Sequence, residues 1–229
     1  MLKCWLPLTL LPLVLSAGVI VDEHFTTLDA WESVKFEKID KLSTYQATPN
    51  GLLLESNDSA SALRLKGEYD VQSSPLLSFE WKTTQCVIDG DPKTKQGDDA
   101  PIRIYVAWAY DPQSATVFES IVYETLKLFY GEYPPKAVLN YVMSPRAIQK
   151  SYTSPYTDRV KIIPLGSCEH DLNQIKRYKR DVVHDYYEHF GVMPSGKATL
   201  GVMADSDNSH GASKAQIRFI RLESNEIKP

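Results

Sequence analysis

The sequence predicts a mainly β protein: an antiparallel β-sandwich of jelly-roll-like topology with two peripheral α-helices. Three observations lead there. Apolar and polar residues alternate strictly in several stretches, most plainly at Leu77, Phe79 and Trp81 and again at Ile102, Ile104, Val106 and Trp108. Turn signals such as Asn50-Gly51 and Asn57-Asp58 punctuate the chain at strand-length intervals. Only two stretches switch to helical spacing, at irregular intervals, so the regular alternation of a doubly wound sheet is missing. The alternative is an α+β sheet with helices on one side.

In chain order, residues 1–18 come first. Met-Leu-Lys-Cys-Trp, an apolar run from Leu6 to Leu15 and then Ser16-Ala17-Gly18 form the basic, apolar and small-residue parts of a signal peptide. The run is about half the length a membrane-spanning helix needs, and Pro7 and Pro12 interrupt it. Removal of this leader leaves residues 19–229 as a single domain without a transmembrane segment, in the periplasm or secreted. With 43% hydrophobic residues such a domain can bury a sizeable core.

Residues 25–31 and 52–66 hold the first short apolar runs, Leu52-Leu53-Leu54 among them. The strand at Leu77 and Trp81 follows, then the polar stretch 89–99 reads as a surface loop before the strand at Ile102. Phe118, Ile121, Val122, Thr125 and Phe129 recur at three- and four-residue steps, with Thr116 and Glu119 as a capping box and Gly131 as a stop, which predicts the first helix. Strands are expected at 137–143 and 160–165. A second helix is expected from a cap at Asp171 through Leu172, Ile175, Tyr178, Val182, Tyr186 and Phe190 to Gly191. Residues 198–203 and 215–222 close the domain as strands.

Several of these segments, in this order and spacing, resemble the domain of unknown function 3047 family of exported bacterial proteins. They are Asp98-Asp99-Ala100-Pro101 before Arg103, Leu139-Asn140-Tyr141, Ser154-Pro155, Arg180-Asp181-Val182 with Asp185-Tyr186, Phe190-Gly191, and Gly201-Val202-Met203 to Asp205-Ser206-Asp207-Asn208. Met143 and Tyr178 stand where that family commonly carries tryptophan. The resemblance implies export and one β-rich domain, and brings no reaction or catalytic residues with it.

The net charge is −4, and −5 once the single charge of the leader, Lys3, is removed, which excludes wrapping of nucleic acid. Cys4 leaves with the leader, so Cys86 and Cys168 remain as an even pair, either a disulfide or two buried thiols. Asp205, Asp207, Asn208 and His210 crowd one turn whose oxygens suit a hard cation such as calcium, with Asp205 and Asp207 as ligands and Asp98 or Asp99 completing the shell. The same pattern also describes a polar turn whose side chains bond their own backbone. Asp98, Asp99, Arg180, Asp181, Asp185, Asp207 and Asn208 are the candidate ligand-binding residues. For Arg180, Asp181 and Asp185 the other reading is a set of structural ion pairs. The basic run 176–180 reads as a solvated helix face.

No Gly-x-Ser-x-Gly elbow or His-Glu-x-x-His helix is present. Thirteen tyrosines, including Tyr105, Tyr152 and Tyr156, offer the flat apolar faces and polar tips that suit sugars or peptides. The expected function is therefore a non-catalytic binding module of the cell envelope that recognises a glycan or another extracytoplasmic ligand. The alternatives are a carbohydrate-active hydrolase using an aspartate pair and a structural envelope component.

Overall fold

The computed structural model describes residues 18–225 apart from residue 89, residues 114, 116, 118, 119, 121, 125 and 126, and residues 128–132. The leader expected over residues 1–18 therefore lies outside the described residues but for Gly18. So do Thr116, Phe118, Glu119, Ile121, Thr125, Phe129 and Gly131, on which the first predicted helix rests. Val117, Ser120, Val122 to Glu124 and Lys127 of that stretch are helical.

The chain folds into two packed sheets. The first orders β11 (Ile175–Asp181), β6 (Leu76–Gln85), β13 (Ala212–Glu223), β4 (Gly51–Asn57) and β3 (Thr44–Thr48), with β1 (Val19–Glu23) added to β13. The second orders β2 (Trp31–Val34), β5 (Ala60–Leu65), β12 (Ala198–Asp205), β7 (Ala100–Trp108), β8 (Ala137–Ser144), β10 (Val160–Ser167) and β9 (Tyr152–Thr153). Every pairing is antiparallel except β8 with β10. This is the mainly β sandwich that the alternating patterns predict.

Those patterns place one set of side chains between the sheets. Leu52, Leu54, Leu77, Phe79, Trp81, Ile217 and Leu222 of the first sheet pack against Ile102, Ile104, Val106, Trp108, Leu139, Tyr141 and Val202 of the second. Each large apolar group so buried contributes about 1.5–3 kcal/mol. β8, an interior strand between β7 and β10, is buried along its whole length, with Val142 packed beside Ala100 and Ile162 of those neighbours. Cys86, just past β6, and Cys168, which opens the one-turn helix α1 (Cys168–Asp171), are joined by a disulfide that links the two sheets.

Residues 171–190 correct an expectation, since they do not form one helix. Ile175–Asp181 is instead the edge strand β11, paired in register with β6 from Ile175 opposite Lys82 to Asp181 opposite Leu76. The helix α2 (Val182–Phe190) starts only afterwards, capped by Asp181, whose carboxylate accepts from Val183 N and His184 N. Gly191, left-handed at φ 73°, ends it as expected. The Lys-Arg run therefore lies on a strand. Its period of two sends Arg177 and Lys179 to the solvent face and turns Lys176 and Arg180 to the other side, where each meets a carboxylate.

Candidate functional site

Arg103 interrupts the apolar strand β7 on its outer face, opposite Met203 of β12 and Val142 of β8. A guanidinium with 3% of its side chain exposed must find acceptors, and the adjoining strand end supplies them. Asp205 accepts from Arg103 Nε and Nη2, both at 2.9 Å, while Nη2 also donates to the Asp98 carbonyl at 2.8 Å and its carboxylate at 3.1 Å. A register shift between Met203 and Asp205 sets Asp205 opposite Ala100, whose N–H donates to the same carboxylate at 2.9 Å. Bulges of this kind re-aim a side chain at the end of a ladder.

Asp99 closes the facing loop. It accepts from Asn208 N at 3.2 Å, Asn208 Nδ2 at 3.1 Å and Ser209 N at 2.8 Å. Asn208 Oδ1 accepts in turn from the Tyr156 hydroxyl at 2.9 Å, and the Tyr156 ring is 55% exposed beside it. Oxygens of Asp99, Asp205 and Asp207 lie within 4.8 Å of one another. By lone-pair count, Asp99 Oδ2 and Asp205 Oδ2 each keep one acceptor position, and the half-buried Asp207 offers its own.

The electrostatics follow from burial. Desolvation pushes the Asp205 carboxyl up to about 7 against the pull of Arg103, with repulsion from Asp98 and Asp99 adding to the rise. Burial, with repulsion from Asp99 and Asp58, raises Asp207 as well. Arg103 is held well above its ordinary value by Asp205 and Asp98 although burial opposes it. One cation thus stands among four carboxylates.

The connection 86–99 that carries Asp98 and Asp99 also walls a surface groove of about 420 Å3, lined by Asp91, Pro92, Lys93, Arg146 and Ile148 among others. Tyr152 ties this loop down by donating to the Pro92 carbonyl at 3.1 Å.

Of the residues predicted for ligand or cation, Asp98, Asp99, Asp205, Asp207 and Asn208 come together here. Arg180, Asp181 and Asp185 stand apart in a second cluster. Asp185, 1% exposed, accepts from Tyr141 at 2.7 Å and from Arg180 Nε at 2.9 Å, which fastens α2 to both sheets. Arg103 is a residue the sequence reading did not place in a site. Its signal was a cation in the middle of the apolar alternation Ile102, Ile104, Val106.

The sequence profile of the family described as "Protein of unknown function (DUF3047)" matches residues 29–221. No curated protein matches the chain. Among solved structures, a family 11 carbohydrate-binding module of the cellulosomal cellulase Lic26A-Cel5E of Clostridium thermocellum is 11% identical, with 91% of this chain and 95% of that one covered and a TM-score of 0.39. A carbohydrate-binding module described by its mannan recognition is 8% identical, with 92% and 99% covered and a TM-score of 0.37. Peanut lectin is 12% identical, with 93% and 100% covered and a TM-score of 0.38. Likeness at this level says nothing of ligand or reaction.

Proposed function

The chain belongs to the DUF3047 family, and we propose that it is a non-catalytic binding module of the cell envelope that recognises a glycan. The supporting observation is the meeting of Asp98-Asp99, Arg103, Asp207-Asn208 and the exposed Tyr156 ring at one end of the second sheet, beside a groove walled by the same loop. Sugars present vicinal hydroxyls and apolar C–H faces. Carboxylate and amide oxygens accept from the former, and a tyrosine ring stacks on the latter.

The site favours binding over hydrolysis. A glycosidase needs two carboxylates with access to one glycosidic bond. Asp99 and Asp205 are 5% and 4% exposed, with main-chain N–H groups and Arg103 occupying their oxygens, so Asp207 alone of the three faces a ligand freely. The acceptor positions left on Asp99, Asp205 and Asp207 would hold calcium as a structural aid to the loop. Action outside the cytoplasm is supported by the leader over residues 1–18 and by the disulfide, a bond of oxidising compartments.

A glycan-array screen of residues 19–229 tests this reading. A defined glycan retained by the wild type and lost by Asp207→Ala is the expected result. Absence of any retained glycan, or equal retention by the variant, overturns it. For calcium, addition to chelator-treated protein raises Tm if the ion binds the folded state; an unchanged Tm at millimolar calcium removes the ion from the proposal.

A further inference from the structure

The outer face of the first sheet has a character opposite to that of the acidic end of the second. Glu80 of β6, with 6% of its side chain exposed, is clasped from both neighbouring strands. Arg177 of β11 donates to Glu80 Oε2 through Nε at 3.0 Å and Nη2 at 2.7 Å, and Arg218 of β13 donates through Nη1 to Oε1 at 3.2 Å. Arg218 reaches this position because β13 is bulged between Ile217 and Phe219, which frees it from the ladder. Both arginine side chains remain 67% and 66% exposed. Each therefore has further N–H groups directed at solvent, since a guanidinium carries five donors. Lys82, two residues along the same face of β6 and opposite Ile175 and Gln216, has no carboxylate partner among the described residues. Three cations here share one carboxylate, an excess of two positive charges in a chain whose net charge is −4. The surrounding cations are already matched: Lys179 with Glu223, Lys214 with Glu55 and Arg221 with Asp22. Phe219 lies under the Arg177 guanidinium, 5.4 Å from ring centroid to carbon, and adds a flat apolar surface to the row.

We propose that this face, through Lys82, Arg177 and Arg218, binds an acidic polysaccharide that carries a carboxylate on successive sugars. Charge complementarity carries the argument. Strands about 4.8 Å apart set Arg177 and Arg218 in a row across β11, β6 and β13, and planar guanidinium groups bind carboxylates through paired N–H donors. A row of such groups on a flat sheet fits anions repeated along an extended chain better than one compact anion. The surface is separate from the Asp207 site, so the two bind independently.

Affinity electrophoresis through gels containing polygalacturonate tests the proposal, with neutral dextran gels as reference. The wild type is expected to be retarded at low ionic strength and less so as salt is raised. Lys82→Gln and Arg177→Gln each weaken binding by about tenfold, whereas Lys35→Gln, an equal change of charge at an exposed position just past β2 of the second sheet, leaves it unchanged. Lys82→Gln does not disturb the clasp on Glu80 and should retain the wild-type Tm, whereas Arg177→Gln removes both of the shorter bonds to the buried Glu80 and is compared at a temperature below its own lower Tm. No retardation of the wild type, undiminished retardation of Lys82→Gln, or capture by phosphatidylglycerol vesicles without retention by polygalacturonate overturns it.

Discussion

Asp205 concentrates the physics of the acidic site in one residue. It is nearly sealed from water, which favours its neutral form, yet it receives two guanidinium bonds and one main-chain N–H, which favour its anion. Burial prevails and carries its pKa from an ordinary 3.8 to about 7. A 13C titration of the Asp205 carboxyl carbon should accordingly show its midpoint near neutrality; a midpoint at or below 4 would refute this. The sign for stability follows from linkage. The folded chain holds this proton more tightly than the unfolded chain, so the contribution is fully present below about pH 4 and is lost as pH rises to about 7. Carboxylates lowered by ion pairs, such as Glu80 and Asp171, act in the opposite sense and only in more acidic solution. Asp205→Asn should therefore flatten the fall of Tm between about pH 4 and pH 7. Gly51 is decided by geometry instead of charge. At φ 108° a Cβ there would stand 2.1 Å from the Ile217 carbonyl oxygen and 2.7 Å from Arg218 Cα, both backbone atoms. Gly51→Ala is expected to cost about 2 kcal/mol or more in urea unfolding, and a cost within error of zero would show that β13 can move aside.

At the scale of elements, β11 shows where sequence reading stops. Leu172, Ile175, Tyr178, Val182, Tyr186 and Phe190 keep helical spacing, but Ile-Lys-Arg-Tyr-Lys-Arg also alternates, and nothing local chooses between the two periods. The choice comes from β6, whose edge would otherwise be left without partners and which takes seven residues in register. By contrast Leu77, Phe79 and Trp81, or Ile102 to Trp108, alternate without a competing helical pattern and were legible as they stand. β9, two residues long, can carry no such pattern, and β3 alternates only through Tyr45 and Ala47 over five residues, so neither was legible. The acidic site was legible as composition, in Asp98-Asp99 and in residues 205–208. Their union around Arg103 was not, because it depends on the pairing of β12 with β7. The true start of α2 sets up a paired test. Asp185→Ala leaves the Tyr141 hydroxyl and the Arg180 guanidinium without their buried acceptor and should cost about 3–5 kcal/mol, whereas Asp181→Ala removes only the cap and should cost about 1 kcal/mol. Equal costs in urea unfolding would mean that the Asp185 cluster does not fasten the helix to the sheets.

Over the whole molecule, charge and cross-link are both arranged by sheet. The acidic end belongs to the second sheet and the basic row to the first, so a modest net charge conceals two faces of opposite sign. The Cys86–Cys168 bond joins the end of β6 in one sheet to the exit of β10 in the other across 82 residues of sequence. By chain entropy, closing a loop of that length stabilises the fold by up to about 4.5 kcal/mol, with about 2–4 kcal/mol typical. For a domain of this size that corresponds to a Tm lower by about 5–15 °C when the bond is lost. The Cys86→Ser/Cys168→Ser double variant should melt lower by this amount, and reductant should bring the wild type down to the same Tm while leaving the double variant where it is. The same pair of proteins probes the compartment. If residues 1–18 direct export as proposed, the full chain should be isolated with the bond formed and the higher Tm, and residues 19–229 produced in reducing cytosol should match the double variant until oxidised. If the double variant melts with the oxidised wild type, the covalent link adds nothing to the packing of the two inner faces, and the core alone holds the sheets together.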